Sequence, residues 1–500
     1  GLVFGIIFGK LMYLLLLKIL HNSVDMQFSV NGTAIVQTVI LFAGIFLLTY
    51  LYNILQIQLV NPVELLHGGN QGEKEPKSRW LLVIIGVAAL GNGYRIALTT
   101  EAPLEALLKF FIAVICVIIG TYALFIAGSI VVLKMLRKNK AYYYNPKHFT
   151  SVSGMIYRMK QNGAGLANIC VLSTMVLVML STTVSLYAGM EDILDSRFPR
   201  DVSIVCKQAD VDHEEIIERL LKEQCEKAGV KITDRVWYRY GSMNAVLKGD
   251  KLENVNQYYP DNHFYYVEMM TQDEYNRIEK RNVSLEEQEI LTYTTNGKCG
   301  KKQINIAGQN YLVKKELPEM TSQPKSTAEI YKTLYIVFAN AEQIERIEPF
   351  SYADKFNLKG DDGKQKEALE QIQNEFYEKI PDGMMESRML SRSSFYELYG
   401  GLFFIGIYLG SMFIMATVLI IYYKQISEGY DDRERYQIMQ KVGMSKKEVK
   451  RSIRSQVLSV FFLPLVVAVI HVAVAFKVMT KILGVLNLTN VSLFAVCTII

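Results

Sequence analysis

Few side chains in this 500-residue chain stand where they could do chemistry. Lys10 and His471 each lie inside an apolar run, where an ionisable group is costly and is a functional candidate by default. Each also has a plainer reading. A lysine can snorkel towards the membrane surface, and one histidine in a helical bundle can simply satisfy a neighbouring helix. The tripeptide FGK at 8–10 is not followed by Ser or Thr, and no G-x-x-x-x-G-K-[ST] phosphate loop occurs. HExxH, Cys/His clusters and G-x-S-x-G turns are absent from the sequence too, and its six histidines are scattered. No residue qualifies as catalytic, and no metal or cofactor site is expected on this chain.

The most ordered polar stretch is DDRERYQIMQKVGMSKKEVKRSIRSQ (431–456), set between the apolar runs SMFIMATVLIIYY and VLSVFFLPLVVAVI. Asp431, Asp432 and Glu434 suit the positive end of a helix dipole. Tyr436, Met439 and Val442, with Ile438, give that helix one apolar face. Gly443 can supply the left-handed residue that ends it, and Ser445 with Glu448 forms the S-x-x-E capping box of a second helix. Val449, Ile453 and Val457 then carry an apolar stripe into the next run. The segment reads as a rigid elbow at a membrane face. A solvated loop is the plainer alternative, which the capping box disfavours.

These signals need elements to hold them, and composition says which. The chain is 50% hydrophobic with a mean hydropathy of +0.16, too apolar for an ordinary soluble protein and too polar for one wholly in lipid. Residues 191–396 hold 37 of the 49 acidic side chains but only 29 of the 54 basic ones, a net −8 against +13 for the remainder. Apolar runs of bilayer-spanning length, about 20 residues, fall near 1–20, 35–57, 107–133, 168–190, 399–423 and 456–476. A shorter run at 80–98 is interrupted by Asn92 and Arg95, and another begins near 489. Residues 134–160 carry seven Lys/Arg and no acid, 424–454 carry nine against five acids, and 21–34 carry none. Positive charge favours the cytoplasmic side, so 58–79, 134–167 and 424–455 are expected inside and 191–398 outside. Basic charge here points to membrane topology and not to nucleic acid.

The expected fold is a polytopic α-helical membrane protein with eight spans present and one extracellular mixed α/β domain at 191–398. VDHEEIIERLLKEQCEKAG and KQKEALEQIQNEFYEKI have helical periodicity, while DVSIVC, RVWYRY, FYYVEMM and TLYIVFA read as strands. The tyrosine-rich, acidic run NQYYPDNHFYYVEMM (256–270) would suit a cationic peptide, although strand packing is the stronger reading. Cys206, Cys225 and Cys299 leave room for one disulfide and no framework.

The two ends resemble one another. Each has a span finishing in Lys-Ile-Leu (at Lys18 and Lys481), a short polar loop and a second span. As a repeat, 1–57 is the second half of a four-span unit and 168–500 is a complete one, with span 168–190, the domain 191–398 and then 399–500 with its elbow at 424–455. An extra hairpin at 80–133 lies between them. Both ends read as cut, so the chain is expected to be a fragment of a ten-span protein.

The stretch RERYQIMQKVGMSKKEV (433–449), with its flanking spans, resembles the FtsX/MacB-type permeases of ABC transporters. The extra hairpin, the ten-span count and the single outside domain narrow this to the bacitracin-resistance (BceB-like) permeases of Firmicutes. NPVELLHGG (61–69) is similar to the tail that follows the last span of a unit in that superfamily. The resemblance implies a multi-pass protein of the bacterial plasma membrane, the non-catalytic subunit of a transporter giving resistance to cell-wall-targeting peptide antibiotics. ATP would be bound by a separate ABC ATPase, in two copies, contacting Arg433, Arg435, Ile438, Met439, Val442, Gly443 and Met444. It further implies a peptide antibiotic or lipid-linked cell-wall precursor at the outside domain, membrane lipid around the spans, and a sensor histidine kinase as partner. Two other readings remain: a membrane receptor or signalling scaffold, and a lipoprotein-release-type permease.

Overall fold

The computed structural model describes residues 2–20, 32–59, 79–100, 103–144, 146–208, 211–256, 263–295, 297–322, 332–441, 443–486, 488 and 490–499. Long apolar stretches leave the backbone no water to bond with, so helix is the only spanning form open to them. Accordingly α1 (Leu2–Ile19), α2 (Gly32–Leu59), α3 (Trp80–Thr99), α4 (Pro103–Ala123), α5 (Ser129–Lys138), α6 (Lys140–Tyr143), α7 (Pro146–Ala188) and α8 (Met190–Arg197) follow in order. A single π turn, Leu124–Gly128, joins α4 to α5. Ten strands come next among the described residues: β1 (Val202–Cys206), β2 (Lys231–Lys248), β3 (Lys251–Asn254), β4 (Phe264–Thr271), β5 (Glu289–Thr294), β6 (Gln303–Ile306), β7 (Gln309–Glu316), β8 (Lys332–Phe338), β9 (Phe350–Lys359) and β10 (Met384–Ser387). Interleaved with them are α9 (Val211–Ala228), α10 (Gln272–Glu279), α11 (Ala341–Glu345) and α12 (Asp362–Lys379). The described chain ends with α13 (Arg388–Lys441), α14 (Lys446–Val485) and α15 (Val491–Ile499).

Six helices among the described residues are long and apolar enough to cross a membrane: Gly32–Gln58, Trp80–Thr99, Ala106–Lys138, Asn162–Ala188, Arg388–Tyr430 and Phe462–Val485. The protein is therefore a polytopic helical membrane protein. The last of these overlaps the expected 456–476, and it belongs to α14, which starts at the capping box. Most of segment 58–79, including NPVELLHGG, lies outside the described residues, as do 21–31 of the first polar loop.

The chain divides into two compact units: Gly1–Tyr94, Val114–Leu180 and Gly400–Ala473 form one, and Arg95–Ala113, Ser181–Tyr399 and Val474–Ile500 the other. In the first, Phe125, Ile130, Ile156, Leu166, Ile169 and Ala468 belong to one buried cluster. Gly163 sets its closest approach. A Cβ there would lie 2.8 Å from the Phe125 carbonyl oxygen and 2.9 Å from Ile126 Cα, both backbone atoms of the π turn. Small residues at such crossings let helices in lipid approach to van der Waals contact. Gly163→Val should therefore abolish stable expression of the bundle, measured as monodisperse protein in detergent. Gly165→Ala, which meets nothing within 4 Å, should be tolerated.

In the second unit the sheet order is β10-β1-β9-β2-β3-β6-β7-β5-β8-β4, with a further β2–β4 pairing. That pairing closes β2, β3, β6, β7, β5, β8 and β4 into a ring, which removes their free edges. The eighteen residues of β2 make this possible. Its first part, Lys231–Gly241, pairs with β9, and its last part pairs with β3 on one side and β4 on the other. Ala245, Val267, Ile290, Ile304, Leu334, Ile336 and Phe338 share one buried cluster. A second cluster joins Val202, Ile204 and Phe356 to Ile217, Leu221, Ile372 and Phe376 of α9 and α12. The tyrosines go mostly to packing: Tyr238, Tyr240, Tyr265, Tyr275, Tyr293, Tyr335 and Tyr352 are all buried. The six cysteines are free thiols, and burial pushes the Cys206 thiol up to about 11, which leaves it inert at neutral pH.

Asp354 of β9, fully buried, takes a bidentate hydrogen bond from Arg235 of β2, with Nε at 3.1 Å and Nη2 at 2.7 Å. Arg235 Nη2 also reaches Glu218 of α9 at 2.6 Å. Burial works against the guanidinium's charge, but its bonds to Asp354 and Glu218 outweigh that and hold it protonated.

Candidate functional site

The elbow is built from two helices and the turn between them. α13 runs unbroken for 54 residues from the end of β10, about 80 Å at the helical rise. It stops where Gly443 takes φ +111°. The Gly443 N–H donates to the Gln440 carbonyl at 3.1 Å and the Met444 N–H to the Met439 carbonyl at 3.0 Å. These are the two bonds of a Schellman cap, which requires a left-handed residue at the glycine position. Two residues on, the Glu448 N–H donates to Ser445 Oγ at 3.3 Å, while the Ser445 N–H and hydroxyl donate to Glu448 Oε2 at 2.9 and 2.7 Å. Those bonds hold the Glu448 carboxyl below the usual carboxylate range. Both helix ends are therefore closed by local hydrogen bonds, and Tyr436 Oη lies 3.4 Å from Ser452 Oγ across the bend.

Gly429, Arg433, Tyr436, Gln437, Gln440 and Ile453 line a groove of about 340 Å³. Of the residues singled out in the sequence, Arg433 lines this groove, Ile438 is 59% exposed and Met439 is exposed as well. Gly443 and Met444 form the turn itself. The Arg435 side chain and Val442 lie outside the described residues. Apolar side chains left exposed beside a small groove are what a docking face for another protein requires. Gly429, Gln437 and Gln440 were not anticipated, and Tyr436 and Ile453 were read only as apolar-face residues. The i, i+4, i+7, i+8 and i+11 spacing of the first five lining residues carries that signal, since it places them on one helical face.

The two intramembrane candidates are positioned differently. Lys10 is half-buried with its Nζ 5.1 Å from the centre of the Tyr13 ring, one turn further along the same helix. His471 is buried between three helices. Its Nδ1 lies 2.7 Å from Tyr94 Oη and its Nε2 3.0 Å from Thr121 Oγ1. The Thr121 hydroxyl donates to the Val117 carbonyl at 2.6 Å, so it accepts from His471. Nε2 then carries the proton, and Nδ1 accepts from Tyr94. The ring is satisfied on both sides and ties α3 and α4 to α14. His471→Leu should lower the stability of the detergent-solubilised protein by about 1 kcal/mol, two interhelical bonds at about 0.6 kcal/mol each. A variant of unchanged melting temperature that has lost its activity would restore a direct role.

No protein-family model matches the chain. It is, however, similar over almost its whole length to curated permeases. The ABC transporter permease protein YxdM of Bacillus subtilis is 26% identical over 500 residues, covering 95% of this chain and 74% of that protein. An uncharacterized ABC transporter permease of the same organism, YvcS, is 20% identical over 518 residues, covering 100% of this chain and 77% of that protein. The bacitracin export permease protein BceB, also of Bacillus subtilis, is 24% identical over 518 residues, covering 94% and 74%. The resemblance read from the elbow and the order of the spans is borne out, and the chain is a multi-pass protein of the cell membrane.

Proposed function

We propose that this chain is the membrane subunit of an ABC transporter that protects the cell from cell-wall-targeting peptide antibiotics, and that it works by transmitting movement. A separate ATPase docks on the elbow, ATP hydrolysis displaces it, and α13 carries the displacement to the α/β domain on the outer side of the membrane. The observation that carries this reading is the continuity of α13, one helix from β10 to the glycine turn. A helix whose backbone bonds are unbroken transmits axial force with little loss, whereas a loop at either end would absorb it. The similarity to a bacitracin export permease supports the choice of drug class. A sensor kinase as third partner rests on the sequence resemblance alone.

The test is to purify the full-length protein from native membranes in mild detergent and assay ATP hydrolysis. An ATPase that co-purifies, with a rate altered by bacitracin, is the expected result. No accompanying ATPase in several detergents would overturn the reading and bring forward that of a receptor or signalling scaffold.

A further inference from the structure

The short helix α8 follows α7 after a break at Gly189, and α13 begins directly after β10. These are the two places where the chain enters and leaves the ten-stranded domain. Glu191 and Asp195 are one turn apart on α8, and Arg388, Arg392 and Tyr396 are successive turns of one face of α13. The two stripes meet. Glu191 Oε1 accepts from Arg392 Nη2 at 2.6 Å and from Tyr396 Oη at 3.2 Å, and Glu191 Oε2 lies 3.3 Å from Arg388 Nη2. Arg388 Nη2 is also 2.5 Å from Asp195 Oδ1.

Neighbouring contacts tighten the junction. Arg197 reaches Glu386 at 2.5 Å, and Asn490 Nδ2 donates to Asp192 Oδ2 at 3.0 Å. Phe198, Phe395 and Tyr399 form a chain of ring contacts with centroids 6.1 and 5.8 Å apart. At Gly189 an added Cβ would run into Leu488 and would lie 2.9 Å from the Ser185 carbonyl oxygen. Against a burial effect, the donors from α13 hold the Glu191 carboxyl below the usual range, so it stays ionised at neutral pH.

A lone exposed ion pair contributes little, because two long side chains must be ordered in high dielectric. Here one carboxylate collects three donors from consecutive turns of a single helix, which fixes both distance and rotation. Within the first unit, α13 also meets α7, the helix that precedes α8. Asn162 of α7 donates to Glu428 of α13, and a Cβ on Gly410 would lie 3.2 Å from Leu180 Cδ2.

We infer that Glu191 is a positioning residue for the transmission proposed above: it clasps α8 to the first turns of α13, so that the segments entering and leaving the domain move as one piece. This inference rests on the elbow-driven reading. Without the clasp, displacement of α13 would shear one edge of the sheet and leave the rest of the domain behind.

The experiment uses the full-length protein with its ATPase, with bacitracin as the probe. Growth in bacitracin and ATP hydrolysis by the purified complex are both measured for Glu191→Gln, for the milder Tyr396→Phe, and for Glu191→Arg combined with Arg392→Glu. Glu191→Gln should keep its hydrolysis rate yet lose about tenfold in bacitracin tolerance, the factor carried by one charge-assisted hydrogen bond. Tyr396→Phe should lose less, and the exchanged pair should regain most of the tolerance, which a residue needed only for folding would not do. Wild-type tolerance in Glu191→Gln overturns the clasp, as does an exchanged pair that stays sensitive. Gly443→Val serves as the reference. If it is uncoupled while Glu191→Gln is normal, the clasp fails and the elbow reading stands. If Gly443→Val is normal as well, the elbow reading has failed with it.

Discussion

Arg235→Ala should destabilise the α/β domain by about 3–5 kcal/mol, the range for removing one partner of a buried ion pair. Asp354 has no solvent exposure, and among the described residues its further side-chain partner is the Tyr352 hydroxyl at 3.4 Å. Deleting the guanidinium leaves a carboxylate in the core, which must either take up a proton or open the sheet to water. The effect should appear as a lower unfolding midpoint and faster proteolysis of the domain. Arg235→Lys should fall between, because an ammonium keeps the charge but cannot supply the bidentate fork. Replacing Arg235 and Asp354 together by leucine should recover much of the loss, since no orphan charge remains. An Arg235→Ala protein within 1 kcal/mol of the parent would show that water already reaches Asp354.

Gly443→Val is expected to separate ATP hydrolysis from drug tolerance. At φ +111° an L side chain is strained whatever the surrounding space, and a β-branched one most of all. A strain of about 1–3 kcal/mol is larger than a Schellman cap can hold, so the turn should change shape. Space is not the difficulty, as nothing lies within 4 Å of the missing Cβ. The protein should therefore insert and purify normally, with hydrolysis by its partner present and bacitracin tolerance lost. Gly443→Asn, which enters left-handed conformations more readily, should keep most of the tolerance. Full tolerance in the valine variant would remove the elbow from the mechanism.

The elements that could be read from the sequence are those held by near neighbours. The capping box spans four residues, and the Schellman cap needs only one glycine at the end of an apolar-faced helix. The periodic stretches around Ile217 and Ile372 are helices, and the β-branched and aromatic runs around Ile204, Tyr238, Val267 and Ile336 are strands. The four-residue strands β3, β6 and β10 gave no such signal, because two side chains per face are too few to show a period. The groove at the elbow was readable in part. Arg433 belonged to the motif, whereas Ile453 comes from the second helix and joins it only through the bend.

Hydropathy alone determined that this chain crosses a membrane several times, because a bilayer demands runs of a certain length with the backbone bonded internally. Local hydrogen-bond chemistry alone determined the two helix ends of the elbow, because each capping bond closes within five residues. Tertiary structure decided everything that pairs residues far apart. It closed the ring through β2 and β4, set Asp354 against an arginine 119 positions away, and brought Glu191 to Arg392 across 201. It also decided what the singled-out polar residues do, giving His471 two hydrogen-bond partners on other helices and sending most of the domain's tyrosines into its core. Such pairings depend on which surfaces of the folded chain face each other, and no local pattern of residue types records that.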